Sequence, residues 1–109
     1  MNSNMTYETL KIDSDYEIFN EYPYKIRRKD NHFEPTESYN NDGYIQVHLN
    51  RNTYGKHVVI ATQWIENDDT EHKTQVDHRN NHRDDNHIEN LRWVTPSRNL
   101  ENRLSYKGV

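Results

Sequence analysis

The chain has 109 residues, of which 30% are hydrophobic and 29% charged, with a formal net charge of −4. This length allows one domain, or two very small ones that share a core, and excludes a large core. The absence of cysteine excludes a disulfide framework and a cysteine-ligated zinc site, and no apolar stretch approaches the roughly 20 residues that span a bilayer. No secretory signal is visible, so an intracellular location, in the cytoplasm or nucleus, is expected.

The amino-terminal half predicts a small β-rich module. Residues 1–14 are expected to be flexible, and residues 15–55 to form a DNA-binding-like module of strands. The polar run at 30–42 has the composition of turns. The predicted strands lie near 16–19, at 24–29, at 44–49, where hydrophobic and polar residues alternate, and near 53–54.

A linking segment follows at 56–73. It predicts a helix over about 56–65, with Val59, Ile60, Gln63 and Trp64 spaced for one face, and then an acidic loop. His57 lies at the start of this helix. It could contact a phosphate, but a structural role in starting the helix is the favoured interpretation.

Residues 74–104 predict a compact ββα unit. A β-permissive run ends at Asp77-His78, and a polar loop follows in which Asn81 can adopt a left-handed conformation in place of glycine. Leu91 to Val94 then form a second short strand. Thr95 followed by Pro96 predicts a helix start, with Thr95 as N-cap, and the helix is expected to run through Arg103.

Four side chains in this unit carry chemistry: Asp77, His78, Asn90 and Asn99. Together they offer a carboxylate, an imidazole base and two amide oxygens. These are the groups needed to cut a phosphodiester with one divalent ion. Because Asn99 lies one turn into the predicted helix, its side chain is expected to face the strands and meet Asp77.

The pattern Val-Asp-His at 76–78, followed by Asn-Leu-Arg-Trp-Val-Thr-Pro-Ser-x-Asn at 90–99, resembles the HNH nuclease motif. The resemblance is to the variant found in phage intron-encoded homing and nicking endonucleases, and it extends with less specificity over residues 14–104. It implies an α+β fold in which a small antiparallel β-sheet module and a linking helix precede a ββα-metal motif.

The same resemblance implies a role for each motif residue. Asp77 matches the first metal ligand and His78 the general base. Asn90 matches the residue that orients the base through a hydrogen bond, and Asn99 the second metal ligand. The third motif position is Asn here rather than His, and Asn80-Asn81 stands where Asp-Gly is common, but neither change removes a catalytic atom.

Oxygen ligands suit Mg²⁺ or Mn²⁺ rather than Zn²⁺ as the cofactor. The expected partner is double-stranded DNA, with no membrane, and a monomer is favoured. The net charge is misleading here, because the acids concentrate in the first 22 residues and at 66–71, whereas the bases group on one strand and around the motif. The predicted DNA-binding residues are Lys25, Arg27, Arg28, Lys29, Arg79, Arg83, Arg92, Arg98 and Arg103.

Other functions are consistent with the same residues. The chain could be a cleavage-inactive HNH-fold DNA-binding regulator, a non-specific toxin-like nuclease, or a metal-stabilised interaction module. Residues 105–109 are expected to be a tail at a truncation point, because homing enzymes of this type often continue into a further DNA-binding segment.

Overall fold

The computed structural model of the chain describes the backbone of residues 5–107 and the side chains of residues 5–104. This part of the chain contains eight short strands, two α-helices and one 3₁₀ turn at Ile88–Asn90. The strands are β1 (Tyr7–Thr9), β2 (Tyr16–Phe19), β3 (Ile26–Arg28), β4 (Glu37–Tyr39), β5 (Ile45–Leu49), β6 (Asn52–Gly55), β7 (Gln75–His78) and β8 (Leu91–Val94). The helices are α1 (Lys56–Trp64) and α2 (Pro96–Lys107).

The strands form three antiparallel sheets, β1-β2-β3, β4-β5-β6 and β7-β8. Strands that are neighbours in a sheet are also neighbours in sequence, and the longest connection between them is the loop of residues 79–90 between β7 and β8. The predicted α+β class, with antiparallel strands and a linking helix before a ββα unit, is confirmed.

One hydrophobic cluster joins all three sheets to α1. Sheets of two or three short strands are marginally stable alone, so shared packing is what holds them. Of the two arrangements that the length allows, the structure has the single core. Its buried members are Leu10, Tyr16, Ile18, Tyr24, Ile26, Val47, Leu49, Val59, Ile60, Ala61, Val76 and Leu91.

The best-predicted elements are those with a clear internal pattern. Strand β2 and helix α1 lie where the sequence places them, within a residue or two. Helix α2 begins at Pro96, and the Thr95 hydroxyl accepts a hydrogen bond from the Arg98 amide at 3.2 Å, as an N-cap does. The helix continues past its predicted end at Arg103 through residues expected to be a tail, and residues 108–109 lie outside the described part.

The prediction of a flexible segment at 1–14 is wrong for its second half; residues 1–4 lie outside the described part of the chain. Residues 7–9 form β1 on the edge of the first sheet, and Leu10 is in the core. Gln63 of α1 fixes this segment, because its amide oxygen accepts from the Lys11 amide at 2.8 Å and its nitrogen donates to the Thr9 carbonyl at 3.1 Å.

Tertiary contacts also determine where β3 begins and how β4 is held in place. The predicted strand at 24–29 begins only at Ile26, since Tyr24 has a left-handed backbone with φ of 60°. Strand β4 has three exposed residues and was not predicted. The buried ammonium of Lys56 pairs with Glu37, which ties β4 to the start of α1.

None of the helices in the described residues is long and apolar enough to cross a membrane.

Candidate active site

Strand β7 ends in two buried residues, Asp77 and His78, whose side chains are 2% and 3% exposed. Successive residues of a strand point to opposite faces. The contacts agree, because the Asp77 carboxylate meets Asn102 of α2, whereas the His78 ring lies 4.9 Å from the ring of His57 in α1. A substrate at the end of β7 would therefore meet the carboxylate on one side and the imidazole on the other.

Arg92 neutralises the Asp77 carboxylate, and both Arg92 and Asn102 donate hydrogen bonds to it. Asp77 and Arg92 are cross-strand partners in the β7-β8 register. The guanidinium donates to Oδ2 from Nε at 2.9 Å and lies 2.8 Å away through Nη2, while Asn102 Nδ2 donates to Oδ1 at 2.9 Å. A carboxylate this deeply buried requires such a counter-charge.

In this structure Asn99 makes no hydrogen bond to the Asp77 carboxylate. The Asn99 amide instead donates to Gln75 Oε1 at 2.8 Å. Asn102, three residues later on the same helix, takes the position beside Asp77 and also donates to the His78 carbonyl at 3.1 Å. Residues three apart share a helix face, so the spacing alone does not separate the two asparagines.

The Asp77 carboxylate oxygens are ligands of the type that a hard divalent cation prefers, whereas the groups now in contact with them are N–H donors of Arg92 and Asn102. The described residues hold no group of three or more His, Cys, Asp or Glu side chains that could bind a metal ion. Mg²⁺, however, commonly uses one or two carboxylates and keeps several waters. Arg92 already supplies a counter-charge to this carboxylate, so a metal ion there would compete with the guanidinium.

His78 is oriented by Asn86, which is 4% exposed. The distance from His78 Nε2 to Asn86 Oδ1 is 2.8 Å. Because an amide oxygen only accepts, Nε2 carries the proton and Nδ1 keeps a lone pair. Burial lowers the pKa of His78, although the Asn86 hydrogen bond and the Asp77 charge oppose this, so the ring is a neutral base near pH 7.

The expected hydrogen bond between Asn90 and the imidazole is absent among the described residues, where the ring bonds Asn86 instead. The Asn90 amide nitrogen donates to Asn80 Oδ1 at 2.9 Å and to the Asp85 carbonyl at 2.8 Å, and its oxygen accepts from the Asn80 amide. Asn90 thus closes the loop that carries Asn86. Sequence reasoning missed Asn86 because it is one of several polar residues in that loop and no spacing distinguishes it.

The loop conformation itself was well predicted at one position. Asn81 has φ of 61°, the left-handed conformation expected from its place in a polar turn. Its amide donates to the His78 carbonyl at 2.9 Å, so the turn starts directly from the candidate base.

Several of the predicted DNA-binding residues have partners inside the protein. Arg27 lies 2.6 Å from Glu17 and stacks on the Tyr7 ring at 3.6 Å. These contacts hold the guanidinium in the first sheet. The others with polar partners are Arg28 with Asp30, Tyr16 and Asn50, Lys29 with Thr9, Arg83 with the Asp42 carbonyl, Arg92 with Asp77, and Arg98 with Glu101 at 4.0 Å.

Three of the predicted residues, Lys25, Arg79 and Arg103, have no side-chain hydrogen bond or ion pair to other described residues. Lys25 and Arg79 are exposed, and Arg79 directly follows His78. Arg103 has an enclosed Nε with no partner. These cations are the ones that remain available to an external anion.

No protein-family model matches the chain. It is 36% identical over 67 residues to an uncharacterized HNH endonuclease of Acanthamoeba polyphaga mimivirus, an alignment that covers 57% of this chain and 17% of that protein. Its fold is similar to the structure described as DNA binding and cleavage by the HNH homing endonuclease I-HmuI, with a TM-score of 0.76 and 24% identity, covering 96% of this chain and 61% of the other. The chain thus spans about a sixth of the curated relative and less than two thirds of the solved one. Its resemblance to HNH endonucleases is confirmed in sequence, and its fold is that of an HNH homing endonuclease.

Proposed function

We propose that this chain is a divalent-metal-dependent DNA endonuclease of the HNH homing type, with His78 as the general base. The observation that supports this most strongly is the buried Asp77-His78 pair at the end of β7, with its two side chains on opposite faces of one hairpin. The similarity to HNH endonucleases in sequence and fold supports the same substrate class.

The proposed chemistry begins at His78. Its Nδ1 lone pair takes a proton from a water molecule, and the resulting hydroxide attacks the phosphorus in line. Asn86 keeps the ring in place by accepting from Nε2, so that Nδ1 remains the basic atom. Arg92 pairs with Asp77 in this structure, and its guanidinium would be free to bind a phosphate oxygen if a cation took its place at the carboxylate.

Asp77 and, from α2, Asn99 are the residues proposed to hold Mg²⁺ or Mn²⁺. When bound, such an ion supplies Lewis-acid stabilisation of the negative charge on the leaving oxygen. Asn102 would keep the Asp77-His78 segment aligned with α2, since it contacts both the carboxylate and the His78 carbonyl.

The direct test is the nicking of a supercoiled plasmid with Mg²⁺. The wild-type protein should convert the plasmid to its nicked or linear form, and His78→Ala should lose this activity by at least about a hundredfold, as expected for a general base. His72→Ala, which changes an exposed histidine of the acidic loop, is the matched control and should nick like wild type. Equal activity in the wild type and in His78→Ala would contradict the proposal.

A cleavage-inactive DNA-binding module is the second candidate. The observation that favours it is the ion pair between Arg92 and Asp77, which occupies the carboxylate that the nuclease must use. This candidate predicts that wild type and His78→Ala bind duplex DNA equally and that neither nicks it at any Mg²⁺ concentration.

A further inference from the structure

The imidazole of His57 lies beside the candidate base without a hydrogen-bond partner among the described residues. Its ring centre is 4.9 Å from that of His78 and 5.1 Å from that of Tyr44, on which it stacks at 23°. Its Nδ1 is enclosed and unsatisfied. Its Nε2 also has no partner but is not enclosed. Both nitrogens of a ring at the site are thus unused by the fold.

The chain makes room for this ring at Gly55. A Cβ at that position would lie 2.5 Å from His57 Cε1, closer than atoms can approach. The backbone there has φ of −65° and ψ of 133°, which any residue can adopt. Glycine is therefore not needed for the backbone conformation, and its effect is to let the His57 ring pack closely.

If His57 served only to start α1, an apolar side chain at this position would make the fold more stable. A buried polar atom without a partner is destabilising, and native proteins leave few of them. His57 combines that unfavourable atom with a second nitrogen open to solvent and a neighbouring base. This combination is expected of a group that gains its partner when substrate arrives.

We propose that His57 binds the scissile phosphate, with Nε2–H donating to a non-bridging oxygen on the His78 side of the site. This inference rests on the proposed nuclease function. A buried N–H group without an acceptor is rarer in proteins than a buried lone pair without a donor. Because Nδ1 is the enclosed nitrogen, we place the lone pair there and the proton on Nε2. Burial and the nearby His78 lower the pKa of His57 to about 4, so the donor is neutral near pH 7.

The test compares His57→Phe, which keeps an aromatic but larger ring and removes both nitrogens, with His72→Phe as the control at an exposed histidine. Affinity for a duplex is measured without metal as a function of salt. His57→Phe should weaken binding by roughly tenfold. The slope of log affinity against log salt should not change, because a neutral donor releases no counterion. The control should match wild type in both.

Nicking with Mg²⁺ gives the second measurement, and His57→Phe should lower kcat/KM by at least roughly tenfold. Its Tm should stay near that of the wild type, since the variant removes an unsatisfied buried atom but places a larger ring beside Gly55. If the wild type does not nick, the nuclease proposal fails, and the affinity measurement still decides the role of His57. Wild-type affinity and nicking in His57→Phe, or a changed salt slope, would overturn the inference.

Two further variants keep the test decisive if His57→Phe folds poorly. His57→Gln retains an N–H donor and should keep more affinity than His57→Phe. Gly55→Ala retains both nitrogens but displaces the ring, so it should weaken binding to a similar degree. In a His57→Ala background Gly55→Ala should have no further effect, whereas independent losses would show that Gly55 acts elsewhere.

Discussion

Asp77 shows how one buried charge fixes its neighbours. The carboxylate is almost fully enclosed, and Arg92 lies opposite it in the strand register, so strand pairing itself supplies the counter-ion. A divalent cation that binds Asp77 must therefore compete with a guanidinium already in place.

This competition gives a prediction for Arg92→Gln. Without metal the variant should lose roughly 3 kcal/mol of stability, because Asp77 is left as an uncompensated buried charge. Mg²⁺ should then raise its Tm more than it raises that of the wild type, because no guanidinium competes with the ion. Thermal denaturation with and without Mg²⁺ measures both effects. Arg98→Gln, which alters a surface pair with Glu101, is the control, and equal Mg²⁺-induced shifts in all three proteins would contradict the prediction.

The pH dependence of stability should report on His57. Its pKa is about 4 in the folded chain against 6.5 for an unperturbed ring. Between these values the unfolded chain binds a proton that the folded chain excludes, so the free energy of unfolding decreases as pH falls through this window. In His57→Phe the free energy of unfolding should decrease over this pH window by up to about 3 kcal/mol less than in the wild type. The check is thermal denaturation at about pH 7 and about pH 4.5; parallel behaviour of variant and wild type would show that the ring is not shielded from solvent.

At the scale of elements, the sequence predicts those strands and helices whose pattern is internal. The alternation in β5 and the spacing in α1 mark their buried faces, and Thr95 with Pro96 marks the start of α2. Strands β1 and β4 have three residues each and few buried side chains, so their pairing depends on tertiary contacts that no local pattern records.

The same limit applies to the candidate site. Asp77 and His78 could be located because a strand ends there. Which asparagine contacts them could not, because Asn86 and Asn90 belong to one folded loop whose internal hydrogen bonds decide which side chain turns inward. On α2 the helical spacing leaves two asparagines equally suitable for Asp77, and the structure places the later one there.

The loop arrangement predicts different effects for its two asparagines. Asn90→Ala removes hydrogen bonds that close the loop, so it should lower Tm more than Asn86→Ala does. Asn86→Ala removes the hydrogen bond that orients the His78 ring. For the same decrease in Tm it should therefore reduce nicking more than Asn90→Ala does. Measuring Tm and the nicking rate for both variants tests this. If Asn90→Ala abolished nicking at wild-type Tm, a direct contact between Asn90 and the base would be indicated instead.

At the scale of the whole molecule, the balance of charge predicts weak, salt-sensitive binding to DNA. The net charge is −4, and several cations are paired within the protein. Lys25 and Arg79 are exposed cations with no side-chain partner among the described residues. They should therefore carry more of the phosphate binding than Arg27 and Arg28 do.

The comparison is between two double variants on two unrelated duplexes. Lys25→Ala with Arg79→Ala should weaken binding equally on both duplexes and reduce the salt slope by about two units, near one per lost phosphate contact. Arg27→Ala with Arg28→Ala should change the slope less and lower Tm, because it removes contacts within the first sheet. A larger slope change in the second double variant, or a loss confined to one duplex, would contradict this assignment.

The central claim is that two adjacent residues on opposite faces of β7 have separate roles. Mg²⁺ affinity by calorimetry, measured together with plasmid nicking for Asp77→Ala and His78→Ala, tests it most directly. His78→Ala should bind Mg²⁺ as the wild type does and fail to nick, because the imidazole is not a ligand. Asp77→Ala should lose metal binding and nicking together. Loss of Mg²⁺ binding in His78→Ala, or wild-type Mg²⁺ affinity in Asp77→Ala, would contradict the assignment of base and metal ligand.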